Sequence, residues 1–221
     1  MKVIVFGASG MVGQGVLREC VLDDQVESVL LVSRRATSGH HPKVREIVHE
    51  DFTDLSAIEG ELTGLDACFF CLGVSAAGRS EEEYRTITHD YPLAAARALA
   101  SNGRELTFVY VSGEGTDSTE RGRSMWARVK GRTENELLAM DLRAYMFRPG
   151  YIQPRNGATS RTPMYRVLYG LTAWLYPVLR RLLPKQTTTT EHLGRAMLAV
   201  VGLRGEGPHI LHSPEINRLG T

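Results

Sequence analysis

Directly behind the apolar run Val3 to Phe6 stands Gly7-Ala8-Ser9-Gly10-Met11-Val12-Gly13, and the apolar residues that follow, Val12, Val16, Leu17, Cys20 and Val21, fall on one helical face. A strand that turns into a helix through G-x-x-G-x-x-G is compatible with few folds. Gly7 permits a sharp bend, Gly10 lets a pyrophosphate come close to the backbone, and Gly13 lets helix and strand approach one another. The start of the helix then offers unpaired amides to phosphate oxygens. Gly7, Ala8, Ser9, Gly10, Met11, Val12 and Gly13 therefore form the first candidate site, and the ligand they imply is a dinucleotide.

Further short apolar runs follow at Val29 to Val32, Ile47 to Val48, Ala67 to Leu72, Leu106 to Val111 and Ala144 to Phe147. Most are apolar on both faces, as buried parallel strands are. Helical patterns lie between them, from Glu81 to Asn102-Gly103 and from Ser124 to Met140. Alternating strand and helix predicts an α/β doubly wound parallel sheet, with the cofactor across the ends of the first, second and fourth strands, where the strand order reverses. After Pro149-Gly150 the pattern becomes mostly helical, with one late strand near Ile210 to Leu211. The expected organisation is a single domain over residues 1–221, with a cofactor-binding core over 1–150 and a small, mainly helical cap over 151–221. Within Thr187 to Thr190, Thr188 and Glu191 are spaced as a capping box.

A composition of 43% hydrophobic and 23% charged residues is that of an ordinary globular chain. The net charge of +1 supplies no overall field to draw it onto nucleic acid or lipid, so no nucleic-acid partner is expected. Three cysteines, Cys20, Cys68 and Cys71, suit a reducing compartment. MKVIVFGASG is too quickly broken by glycine for a signal peptide, so a cytoplasmic location is expected.

An NAD-selective site usually carries an acid at the end of the second strand. Here the sequence reads Val32-Ser33-Arg34-Arg35. The guanidinium groups of Arg34 and Arg35 suit a 2′-phosphate, which predicts NADP(H) as the cofactor.

These residues resemble the atypical branch of the short-chain dehydrogenase/reductase superfamily, with its NAD(P)-binding Rossmann fold, near the Tat-interacting-protein-like oxidoreductases and the NmrA-like and NAD-dependent epimerase-like proteins. The likeness rests on Gly7 to Gly13, Asp51-Phe52, Cys71-Leu72-Gly73, Val111-Ser112, Lys130 and Arg148-Pro149-Gly150. It implies that Asp51 and Phe52 border the adenine, that Leu72 and Gly73 lie along the cofactor, and that Lys130 hydrogen-bonds the nicotinamide ribose. The family's catalytic Tyr-x-x-x-Lys works because the lysine's charge lowers the phenol's pKa. This chain has Trp126-Ala127-Arg128-Val129-Lys130 instead, and an indole N–H cannot exchange a proton near neutral pH. Trp126 is read as a pocket wall. Ser112 and Lys130 remain as catalytic candidates, with Tyr151 as the replacement acid at the mouth of the crevice.

The expected function is hydride transfer from NADPH to a small acceptor such as a flavin or quinone, because the acceptor then needs little protein acid. The second reading is an NADP(H)-binding redox sensor without turnover. Epimerase or dehydratase chemistry ranks third. From Leu142 to Thr190 stand eight basic residues (Arg143, Arg148, Arg155, Arg161, Arg166, Arg180, Arg181 and Lys185) and no acidic one, a local field that favours an anionic small-molecule substrate. Within it Val167 to Leu182 has helical spacing and is read first as a cap, next as a homodimer surface and last as a membrane contact. Cys68-x-x-Cys71 sits on a strand, where positions i and i+3 face opposite ways. The histidines lack ligand spacing, so no metal is expected.

Overall fold

The apolar runs pair side by side and all in parallel. The computed structural model describes residues 1–36, 41–100, 105–159, 181 and 186–221. Strands β1 (Lys2–Phe6), β2 (Ser28–Ser33), β3 (Val44–Val48), β4 (Ala67–Phe70), β5 (Thr107–Val111) and β6 (Arg143–Arg148) are followed by β7 (Tyr151–Gln153), β8 (Thr187–Thr189) and β9 (Ile210–His212). Seven of them form one sheet in the order β3-β2-β1-β4-β5-β6-β9, and β7 and β8 pair separately. The order reverses between β1 and β4, so a crevice opens above the carboxyl ends of those two strands. The expected Rossmann-type sheet is what the chain forms.

Helices α1 (Met11–Leu22), α2 (Glu81–Arg85), α3 (Tyr91–Leu99), α4 (Met125–Leu138), α5 (Thr190–Gly202) and α6 (Ser213–Leu219) flank the sheet. Alternate residues of each strand enter opposite cores. Ile4, Phe6, Phe70, Phe108, Tyr110 and Met146 face the side of α3 and α4. Val3, Val5, Phe69, Val109, Tyr145 and Phe147 face the side of α1, α5 and α6. On this second side two glycines let helices touch: a Cβ on Gly15 would lie 2.6 Å from Thr190 Cβ, and one on Gly194 would lie 2.8 Å from Glu19 Cγ.

Three boundaries differ from expectation for identifiable reasons. β3 begins at Val44 because it is an edge strand, half exposed, so its charged Arg45 and Glu46 mask the pattern. Thr187 to Thr189 is strand β8, and Thr189, rather than Thr188, caps α5 by accepting from His192 N at 3.0 Å. Within 151–221, α5 packs on α1 and β9 extends the main sheet. The amphipathic stretch Val167 to Leu182 and the stop at Asn102-Gly103 lie outside the described residues.

The helix expected from Glu81 onward is interrupted by a π turn, Thr86–Asp90, between α2 and α3. Pro92 explains the break, since proline has no N–H and its ring clashes with the carbonyl four residues back. That carbonyl belongs to Thr88, and it is not wasted: Tyr110 Oη of β5 donates to it at 2.9 Å and Thr133 Oγ1 of α4 lies 3.1 Å away. The defect thus ties sheet, α3 and α4 together. Tyr110→Phe and Thr133→Val should each cost about 1–2 kcal/mol in urea denaturation. The double variant should lose more than the sum, by roughly 0.5 kcal/mol or more, because the buried carbonyl is then unpaired.

Candidate functional site

Gly7 ends β1 with φ +82°, and a Cβ there would stand 2.6 Å from the backbone N and Cα of Leu72. A Cβ on Gly13 would lie 2.2 Å from the carbonyl oxygen of Gly7. Gly10 N donates to that same carbonyl at 3.0 Å, which closes the turn. Gly10 caps α1 with extended backbone, no side chain satisfies the cap, and no acid stands in the first turn. A phosphate group therefore fits, because among the described residues no side chain caps the amides and the first turn holds no acid to repel the charge. Met11 opens α1, while Ala8 and Val12 pack onto the core beneath it. Ser9 is held from the side by Gln14, whose Nε2 donates to Ser9 O at 3.0 Å and to Thr159 O at 3.2 Å. Gln14 Oε1 also accepts from Thr159 N at 3.1 Å, so this side chain straps residues 154–159 to the turn. Sequence reading missed Gln14, whose partner is far along the chain.

Arg34 and Arg35 are exposed and follow β2, whose carboxyl end lies beside that of β1, where the glycine turn begins. An acid reaches the end of β2 from the neighbouring strand: Ser33 Oγ donates to Glu46 Oε1 at 2.6 Å. Asp51 is exposed and folded back on Thr53, whose hydroxyl and backbone N–H hold its carboxyl below the usual range. Phe52 departs from the expected role. Its ring is buried edge-on against Phe6 and Tyr91, so only its backbone can border a ligand. Leu72 touches the glycine turn through its backbone, and Gly73 beyond it is exposed.

On the other side of the crevice, Lys130 Nζ donates to the backbone carbonyl of Ser112. Burial pushes the Lys130 ammonium down to about 8, and the nearby Glu134 carboxylate opposes that shift. Ser112 is buried, and its hydroxyl donates to Phe147 O at 3.1 Å, so the expected catalytic hydroxyl is engaged with β6. Trp126 lies on the same helix. The far edge of its indole covers Gly115, where a Cβ would be 3.1 Å from Trp126 Cη2. Tyr151, on β7, donates from Oη to Gln153 Oε1 at 3.0 Å.

One helical turn beyond Lys130, Glu134 is fully buried and accepts from Arg148 Nε at 3.0 and 3.1 Å, while Arg148 Nη2 reaches Ser118 Oγ at 2.5 Å. Arg148 therefore leaves the solvent-facing basic field, and Arg143 is partnered by Glu105 at 3.8 Å. Arg161, Arg166, Arg180 and Lys185 lie outside the described residues. Cys68 faces the α3 side and Cys71 the α1 side, as strand geometry requires. Burial pushes the thiols of Cys20 and Cys68 up and that of Cys71 to about 12, so none is a thiolate near neutral pH.

Because the Lys130 ammonium is lost as pH rises through about 8, any ligand it holds as a charged donor should bind more weakly above that pH. NADPH titration followed by nucleotide fluorescence should show this fall in the wild type and none in Lys130→Met. Glu134→Gln should move the fall to lower pH, and it should also lose ~3–5 kcal/mol of stability by stranding Arg148.

Residues 3–120 match the model of the "NAD dependent epimerase/dehydratase family". The chain is 30% identical over 179 residues to "Protein FMP52-1, mitochondrial" of Scheffersomyces stipitis, spanning 80% of this chain and 77% of that protein. It is 28% identical over 154 residues to "Protein HTATIP2" of Rattus norvegicus, spanning 68% of this chain and 62% of that one. Its fold is similar to that of a short-chain dehydrogenase/reductase family oxidoreductase from Burkholderia thailandensis, with TM-score 0.71, 16% identity, and 97% and 92% of the two chains covered. The expected cytoplasmic location is corrected by these relatives, since the similar fungal proteins are named mitochondrial. Composition and cysteine count report redox conditions, not the organelle. No helix among the described residues is long and apolar enough to cross a membrane.

Proposed function

The chain belongs to the NAD dependent epimerase/dehydratase family, and from that premise we propose an NADP(H)-dependent oxidoreductase that passes hydride to a small acceptor. The observation that carries the cofactor choice is the pair of solvent-facing guanidinium groups, Arg34 and Arg35, at the rim beside an uncapped glycine turn. In this reading the turn receives the pyrophosphate, the two arginines receive the 2′-phosphate, and Lys130 donates to the ribose beside the nicotinamide. The bound dinucleotide supplies the hydride chemistry. With an indole at position 126, no phenol on α4 delivers a proton. The acceptors favoured first are flavins and quinones, whose reduced forms take a proton from water.

A second reading follows from the same indole. A protein that binds NADP(H) without turnover would keep the turn and Lys130 and have no need of a phenol, and it would report redox state through unequal affinity for the two forms. A tenfold difference corresponds to about 1.4 kcal/mol of coupling.

Two measurements separate these readings. Calorimetric titration should give the Arg34→Asp, Arg35→Gln double variant an NADPH affinity about 10- to 100-fold weaker, with NADH binding little changed, as charge-assisted hydrogen bonds are lost. An unchanged preference for NADPH would remove the cofactor assignment. Steady-state NADPH oxidation should exceed the uncatalysed rate with menadione or FMN. Absence of turnover, together with unequal NADP and NADPH affinities, would leave the sensor.

A further inference from the structure

The loops that follow β5, β6 and β9 meet on one rim. Gly150 N donates to Ser213 Oγ at 3.0 Å, and Glu114 N donates to Pro149 O at 2.9 Å. A Cβ on Gly113 would lie 3.8 Å from Lys130 Nζ. The register pairs Arg148 with His212, so the His212 side chain leaves the sheet on the same face as Arg148, the face of α4 and Lys130. There His212 Nδ1 lies 2.9 Å from Glu114 Oε2. The His212 side chain also faces the Glu215 backbone N–H as the cap of α6, but a carboxylate only accepts, so the contact with Glu114 requires the hydrogen on Nδ1 and leaves Nε2 for chemistry. Nε2 has no partner among the described residues, and the His212 side chain is 43% exposed.

We propose that the Glu114–His212 dyad is the proton donor of the site, standing in for the phenol absent at Trp126, and that its substrates are aldehydes or ketones as well as quinones. This rests on the oxidoreductase reading above. The carbonyl carbon accepts hydride from the reduced nicotinamide dinucleotide, the C=O π bond breaks onto oxygen, and that oxygen takes the proton from His212 Nε2. The imidazole left neutral, with its Nδ1 hydrogen toward Glu114, recovers a proton at Nε2 from water. The other charged groups around His212 are spoken for. Glu215 Oε2 accepts from the His212 backbone N at 3.0 Å, Arg148 is committed to Glu134, and Lys130 lies beyond Gly113. Trp126 packs against Gly115, the residue after Glu114.

The test compares NADPH-dependent reduction of 4-nitrobenzaldehyde, whose alkoxide needs a proton, with that of menadione, whose reduced form protonates from solvent. His212→Gln should lower kcat for the aldehyde by about 100-fold and Glu114→Gln by about tenfold, with much smaller losses on menadione. The pH dependence of aldehyde reduction should flatten in His212→Gln. Nitrogen-15 histidine NMR of the free protein should show a protonated Nδ1 on His212 that changes in Glu114→Gln, independently of any turnover. Wild-type reduction of menadione but not of the aldehyde would overturn the dyad and leave the oxidoreductase reading intact. Equal loss on both acceptors, no loss on the aldehyde, or an unprotonated Nδ1 would overturn it as well. Bound NADPH with neither acceptor turned over would overturn that reading and the dyad together.

Discussion

The absence of two β-carbons, at Gly7 and Gly13, sets where everything else in the molecule can sit. With side chains there, β1 would be driven off the backbone of Leu72 and α1 off the carbonyl of Gly7. Brought in this close, α1 presents Gly15 to the first residue of α5, and α5 presents Gly194 to Glu19 of α1. Glu19, nearly buried between them, is met by Arg195 at 3.1 Å. Since the cap of α5 is the last residue of β8, and β8 pairs with β7 directly after Gly150, the placement of α1 propagates to the rim loops at the far end of the sheet. A phosphate turn and the packing of the C-terminal half are thus one constraint.

The second half of the site is fixed by α4, which is held along most of its length. Thr133 reaches the carbonyl freed by Pro92, Glu134 is locked to Arg148, and a Cβ on Gly131 would lie 1.8 Å from the carbonyl of Asp117. A buried ion pair seldom stabilises more than apolar packing would, because desolvation offsets the attraction. Its value here is positional: it ties Lys130 to the strand end that precedes Pro149-Gly150 and keeps a negative charge beside an ammonium that burial disfavours.

What could be read from the sequence follows the range of the interactions. Strand runs and the turn are local patterns, so the sheet, α1 and the glycine cradle were legible at near-residue precision; Met11 to Leu22 is an example. Pro92 was visible, but its consequence depended on Tyr110 and Thr133, and no local pattern links residues so far apart. Asp51-Phe52 was expected to border the adenine with both residues, yet which of the two side chains turns inward depends on Phe6 and Tyr91. Arg148 looked like one of eight surface cations because its partner lies on a helix that ends before β6 begins. Glu134, four residues past Lys130, was the one missed residue whose spacing could have been noticed.

Trp126 is where sequence and structure bear on function together. Read from the motif alone, the indole is a loss, a proton donor replaced by a group that cannot exchange one. In the fold the edge of its six-membered ring packs against Gly115, a residue at φ +84° where a Cβ would stand 3.1 Å from Trp126 Cη2. The turn from Gly113 to Thr116 is closed by Thr116, whose N and Oγ1 donate to Gly113 O at 3.3 and 2.7 Å, and the same turn passes Lys130 and carries Glu114 to His212. A phenol at this position would be a smaller ring and would give up part of the contact with Gly115. In the proposed reading the proton source of the site lies on the rim loops and not on the helix: the carboxylate and the imidazole follow two different strands, Glu114 is held by His212 Nδ1 and, through its backbone N, by Pro149 O, and the indole on α4 packs against the next residue, Gly115.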